Sequence, residues 1–251
     1  MTDNMAIASY SKHAVPFPEH MLLIGRTASG KSSLVGDIFS NIDQIYHRHT
    51  RDNIVVVLSP HEVIDSNFLE RFNSAEDWTI LHFSMDSLNE DSVGNVLKYL
   101  KKEKILQKEV FLFLDDLAIN GYASKRANSF ILKAFATFRH QNIAVIATVQ
   151  VGDKEFRPLM ENSGYVILMK HFGYHKCLEM ILRTFIMSIK VPALIRLLSP
   201  FFTSTETIGD HIAFNFSFPA MRNEVFFITK GIFEPHYGYT RTDIEQLCLR
   251  L

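Results

Sequence analysis

The sequence predicts an α/β fold, a central and mainly parallel sheet with helices on both sides. Three observations carry that expectation. Strand-length apolar runs alternate with stretches of helical spacing through residues 21–170. The runs NIVVVLS, VFLFL, NIAVIATVQ and GYVILMK are apolar on both faces, as strands covered by two helix layers must be. Between the first strand and the first helix stands Gly25-Arg26-Thr27-Ala28-Ser29-Gly30-Lys31-Ser32, which fits the phosphate-loop pattern GxxxxGK[ST].

Composition sets the outer bounds. The chain has 251 residues, 47% hydrophobic and 21% charged, enough to bury a substantial core. A formal net charge of -1 neither requires nor excludes a nucleic-acid partner, because a basic surface can sit inside a neutral total. Cys177 and Cys248 lie far apart and match no metal-ligand spacing, so free thiols in a reducing compartment are expected. The first twenty residues lack the basic start and apolar run of a signal peptide. No run of 18 apolar residues exists, so no membrane helix is expected. A soluble, intracellular protein is expected. One unit is expected over residues 1–251: an N-terminal arm at 1–20, a core at 21–170, and C-terminal helices with a hairpin at 171–251.

Taken in order, Met21 to Ile24 form the first buried strand. Leu34, Val35, Ile38 and Phe39 follow the loop at helical spacing. Residues 53–59 give the next strand, ended by Pro60. HEVIDSNFLERF gives a helix with Val63, Phe68 and Phe72 on one side, and Trp78 to Phe83 a short strand. Residues 91–104 read as a helix. Val110 to Leu114 is a strand running into Asp115-Asp116. Residues 124–140 form a helix carrying Phe130, Ile131, Phe135 and Phe138. Strands at 142–150 and 164–170 complete the core. Residues 174–198 are helical, broken by Pro192. His211 to Phe218 alternates cleanly and turns into Val225 to Ile228, a β-hairpin added to the sheet edge.

The chemistry gathers on three stretches. In the loop, glycines let the backbone turn N–H groups onto phosphate oxygens, and the helix start adds positive potential. Residues Gly25 to Ser33, with Ser33 next to the motif, are the candidate nucleotide contacts. Lys31 would reach the β- and γ-phosphates, and the Ser32 hydroxyl would hold Mg²⁺. In VFLFLDD, an apolar strand delivers carboxylates to the phosphate end of the sheet, a Walker B arrangement. Asp115 would hold Mg²⁺ through its water shell, and Asp116 would orient and deprotonate the attacking water. In NIAVIATVQ, the strand ends in Gln150, whose amide both donates and accepts hydrogen bonds and suits a γ-phosphate sensor. Each has an ordinary reading too: a turn, a solvated loop start and a surface glutamine. Together they indicate a RecA-like P-loop NTPase of the ASCE type, with an inserted strand and the order 5-1-4-3-2. NKxD, DxxG after a Walker B strand, and LSGGQ are all absent, which removes the GTPase and ABC readings.

The set GRTASGKS, VFLFLDDL and FRHQNIAVIATVQ resembles the poxvirus-type genome-packaging ATPases of the FtsK–HerA superfamily, found in large DNA viruses, virophages and Polinton-type elements. The resemblance covers roughly residues 20–170, and the Arg-His before a strand ending in Gln is its discriminating part. It implies a ring of five or six chains that hydrolyses ATP with Mg²⁺ and moves double-stranded DNA into a capsid, with a capsid or portal protein as partner. Carried over by position, Lys31 and Ser32 bind phosphate and Mg²⁺, Asp115 holds Mg²⁺, Asp116 is the base and Gln150 the sensor. Arg139 matches an arginine that reaches the neighbouring subunit's γ-phosphate; its ordinary reading is a helix-end cation. Arg126 is the fallback, and Arg26 a further candidate in cis. Asp116 departs from the glutamate commoner in the superfamily and reaches less far. For DNA contacts, the candidates are Lys98, Lys101, Lys102, Lys104 and Lys108, then His47, Arg48, His49 and Arg51; a solvated amphipathic helix is the favoured reading of the lysines. Two other classes stay open: a small-molecule nucleotide kinase, and a non-catalytic NTP-binding interaction protein.

Overall fold

The structure is a computed structural model. It describes residues 15–48, 53–60, 66, 68, 72, 78–84, 109–117, 125–150, 156–169, 174–185, 192, 195, 196, 199, 211–215, 224–229 and 235–240. The expected helix at 91–104, its lysines, His49 and Arg51 lie outside the described residues.

Strands β1 (Val15–Pro16), β2 (Met21–Ile24), β3 (Tyr46–His47), β4 (Ile54–Ser59), β5 (Thr79–Ser84) and β6 (Val110–Leu117) come first in the chain. They are followed by β7 (Ile143–Val149), β8 (Tyr165–Met169), β9 (His211–Asn215), β10 (Glu224–Thr229) and β11 (Pro235–Thr240). The helices are α1 (Lys31–Ser40), α2 (Ile42–Ile45), α3 (Lys125–Thr137), α4 (Arg157–Glu161) and α5 (Tyr174–Phe185), and a 3-10 turn, Phe138–Gln141, follows α3.

Nine strands form one sheet in the order β11-β10-β9-β8-β2-β7-β6-β4-β5. From β8 to β5 every neighbouring pair is parallel. The five strands β8-β2-β7-β6-β4 reproduce the expected 5-1-4-3-2 order, and β5 is the additional strand at the edge. This is the RecA-like P-loop NTPase fold. The C-terminal addition is larger than a hairpin. Three antiparallel strands, β9, β10 and β11, extend the sheet from β8. The segment PHYGYT of β11 is short and has no clean hydrophobic alternation, so it gives little strand signal.

Burial follows from the apolar runs. All described residues of β2, β4, β7 and β8 are buried. Successive side chains of each strand point into opposite layers. Leu22, Val56, Leu112, Val145 and Val166 pack with Ile131, Phe135, Leu159, Leu178 and Ile181 of α3, α4 and α5. Leu23, Val55, Phe113, Ile146 and Ile167 pack with Leu34, Val35, Ile38 and Phe39 of α1. Phenylalanines fill both layers, and in the second they cluster around Phe39. Phe39 meets Phe68, Phe72, Trp78, Phe111 and Phe113, mostly edge to face, the geometry that aromatic quadrupoles favour.

The described part of the N-terminal arm, residues 15–20, is laid on the domain and packed into it. Val15 pairs with Tyr46, and Val15, Glu19 and His20 are buried. Arg48, a candidate DNA contact, is also buried, with 3% of its side chain exposed. Its Nε lies 3.3 Å from Glu109 Oε2, its Nη1 3.0 Å from Asp43 Oδ1 and from Asn53 Oδ1. Its guanidinium also sits 5.4 Å from the centroid of the Phe111 ring. A cation so enclosed has no face to offer a phosphate backbone.

Candidate nucleotide site

The C-terminal ends of β2, β6 and β7 meet at one edge of the sheet, and the candidate residues gather there. The loop leaves β2 with Gly25 N–H donating to Val149 O (3.1 Å) and closes with Ser29 N–H donating to Arg26 O (3.2 Å). Two glycines are dictated by geometry. A Cβ on Gly25 would stand 2.6 Å from Ser29 Oγ and 2.7 Å from Met169 Cβ, and Gly30 has φ 90°. Helix α1 starts with no side-chain cap and no acidic residue in its first turn. Its first N–H groups therefore face the loop, the arrangement that binds anions.

Lys31 is 7% exposed. Its Nζ donates to Gly25 O (3.0 Å) and Arg26 O (2.8 Å). Burial pushes its pKa below the ordinary lysine value, and the charges of Asp116 and Asp115 pull it back up. Arg26, Thr27 and Ala28 are exposed at the loop tip, while Ser32 and Ser33 are half-buried in the first turn of α1.

The acids lie on β6, one strand beyond β7. Asp115 is buried and accepts from Thr148 Oγ1–H at 2.9 Å. Asp116 has φ 47°, a left-handed backbone that Asp tolerates better than most residues. Its N–H donates to Thr148 Oγ1 (2.7 Å), and Gln150 Nε2 donates to both its carboxylate oxygens, at 2.9 and 3.0 Å. Lys31, Asp115, Asp116 and Gln150 are thus one cluster. Thr148 is the member that sequence reasoning passes over. Its only signal is a lone hydroxyl in an apolar strand, two residues before Gln150. Farther along the same edge, Ser59 Oγ and His82 Nε2 lie 2.9 Å apart.

The donor set fits Mg²⁺ as P-loops hold it, through one hydroxyl and one carboxylate with waters and phosphate oxygens supplying the rest. Asp115 is a buried carboxylate at this edge, and Ser32 is the second residue of α1, which starts from the loop.

Arg139 is not part of this cluster. It lies in the 3-10 turn before β7, at the opposite edge of the sheet. The seven residues of β7 separate the two edges by roughly 20 Å. Its Nη1 pairs with Glu19 Oε1 at 3.0 Å and its Nη2 donates to Asn162 O. Burial pushes the Glu19 carboxyl up, and Arg139 pulls it back down. His20 next to it is buried; desolvation, with help from Arg139, drops its pKa to about 3, so the ring is neutral. Its Nδ1 accepts from Val145 N–H at 3.0 Å, which puts the ring proton on Nε2. The side chain of Arg126 lies outside the described residues.

No family model matches the chain, and no curated protein matches it. Solved structures do. The DNA-packaging ATPase B204 from Sulfolobus turreted icosahedral virus is 14% identical, with a TM-score of 0.56 over 86% of this chain and 98% of that one. Genome-packaging NTPase B204 from Sulfolobus turreted icosahedral virus 2, in complex with ATP-gammaS, is 13% identical, with a TM-score of 0.54 over 86% and 98%. The cytoplasmic domain of the type VII secretion ATPase EccC of Thermomonospora curvata is 15% identical, with a TM-score of 0.52, over 92% of this chain and 28% of that one. These likenesses establish that the chain has the fold of P-loop ATPases of the packaging and secretion kind. No described helix is long and apolar enough to cross a membrane.

Proposed function

We propose that this chain is a Mg²⁺-dependent ATPase that works as a ring and drives double-stranded DNA into a preformed capsid. The observation that carries the hydrolytic half is the meeting of Lys31, Asp115, Asp116 and Gln150 at one sheet edge beside an uncapped helix start. The packaging half is supported by the fold-level likeness to B204, which spans nearly all of both chains.

The chemistry follows from these residues. ATP phosphates would lie against the loop N–H groups, with Lys31 on the β- and γ-oxygens. Ser32 and Asp115 would hold Mg²⁺, which when bound neutralises phosphate charge. A water oxygen attacks the γ-phosphorus, the bond to the β–γ bridging oxygen breaks, and the water proton passes to Asp116. The Gln150 amide, in contact with both Asp116 oxygens, orders that carboxylate and can turn toward the water. Asp116 is shorter than a glutamate, and it stands on a left-handed backbone.

The test is steady-state ATP hydrolysis with Mg²⁺, with and without double-stranded DNA, across a salt series. Expected is stimulation by DNA that fades steeply as salt rises, because gripping phosphates releases counterions. Turnover indifferent to DNA and raised by a nucleoside or nucleotide acceptor would replace the motor with a kinase.

Arg139 is proposed to act across a subunit interface, since its own loop lies at the far edge of the sheet. Its pair with Glu19 would have to open for that role. Arg139→Ala chains and Asp116→Asn chains, each inactive alone, are expected to recover part of the activity when mixed under ring-forming conditions. Mixtures that stay dead in assembled rings would remove the role in trans.

A further inference from the structure

The stretch of β6 that bears the acids has one residue more than its partner. Leu114 pairs with Ala147 and Leu117 with Val149, so Asp115 and Asp116 together stand opposite Thr148 alone. This is a β-bulge, and it resets the phase of the strand. Strict alternation would send Asp116 into the layer of Leu112 and Leu114, away from α1, and Leu117 toward α1. Instead Leu117 packs with Leu112 and Leu114, and both acids are spared for the loop side. A bulge leaves its extra residue without a ladder partner. Here the N–H of Asp116 finds one in Thr148 Oγ1, at 2.7 Å. The same hydroxyl gives its single proton to Asp115 Oδ1, at 2.9 Å. Thr148 itself is 0% exposed, so water does not compete for either bond.

We infer that Thr148 is a positioning residue of the hydrolytic site, fixing the bulge so that Asp115 is oriented toward the metal side and Asp116 toward Gln150. The inference rests on the hydrolytic reading above. A threonine hydroxyl is suited to it because it donates and accepts at once, and the branched methyl restricts χ1. Valine keeps the shape and loses both bonds. Serine keeps the bonds and loses the methyl.

The test is a kinetic series on the full chain: Thr148→Val, Thr148→Ser and Asp116→Asn, with nucleotide affinity measured separately by a fluorescent ATP analogue in Mg²⁺. Thr148→Val is expected to lose about 30- to 100-fold in kcat, the scale of a catalytic group displaced by about 1 Å, with KM and nucleotide Kd changed less than about threefold. Thr148→Ser is expected to stay within about threefold of the parent in both. Parent-like kcat in Thr148→Val, or an equal loss in Thr148→Ser, overturns the inference. If Thr148→Val does not fold by circular dichroism, Thr148→Cys takes its place; its thiol bonds weakly, and a kcat matching Thr148→Ser overturns the inference. The outcomes separate two failures. Thr148→Val active beside a dead Asp116→Asn removes only the role of Thr148. Asp116→Asn as active as the parent removes the assignment of Asp116 as base, and a parent that turns over no ATP removes the hydrolytic reading itself.

Discussion

Asp116→Asn is expected to bind Mg²⁺-ATP within about threefold of the parent and to hydrolyse it about a thousandfold more slowly, the scale of a lost general base. Asparagine is the appropriate probe because it tolerates the left-handed backbone at this position, where φ is 47°. It also preserves the size of the side chain that Gln150 Nε2 holds. The substitution removes the proton acceptor and its charge, and leaves one oxygen to accept from Gln150 Nε2. Lys31→Ala should fail differently, losing nucleotide affinity first, because Lys31 is the buried cation of the loop. Single-turnover hydrolysis and equilibrium nucleotide binding on both variants give the contrast. Hydrolysis by Asp116→Asn at the parent rate would sink the base assignment, and the shared position of the acids would then be structural.

Arg48→Ala is expected to destabilise the chain by about 3–5 kcal/mol, as the removal of one partner of a buried ion pair does. Glu109, with 5% of its side chain exposed, would lose its guanidinium partner. The exposed partner Asp43 contributes little, since water screens it. Arg48→Lys should recover only part of the loss, because a single ammonium cannot reach Glu109 and Asn53 while stacking on Phe111. Urea unfolding of the three proteins reads this directly. A loss under about 1 kcal/mol in Arg48→Ala would show that the pair is not a staple. Unchanged stability with weakened DNA binding would return Arg48 to the list of DNA contacts.

Arg48 also marks where sequence reading stops. A basic residue between histidines, in the stretch His47 to Arg51, carries the same signature whether it faces solvent or a carboxylate. The carboxylate that decides the matter, Glu109, is 61 residues away in the chain. Arg139 poses the same problem in another form. Its place just before a strand was legible; its pair with Glu19, which lies in the N-terminal arm, was not. The edge strand β11 was missed because its pattern lacks the apolar alternation that flags β9.

By itself the sequence determined the parallel core of the sheet and the edge of it where the candidate residues gather. Runs apolar on both sides leave no stable choice but parallel strands between two helix layers. A GxxxxGK[ST] turn between a strand and a helix puts the candidate phosphate loop at the strands' C-terminal edge, and the places of Asp115, Asp116 and Gln150 at strand ends bring them to the same edge. Tertiary structure alone decided how the two acids share that edge. Adjacent residues in a regular strand point to opposite faces, so Asp115-Asp116 read as letters puts one carboxylate on the wrong side. The bulge against β7 cancels that half-turn, and its orphaned N–H is met by Thr148, a hydroxyl from a different strand. Register between strands is a property of the assembled sheet, and no local spacing encodes it.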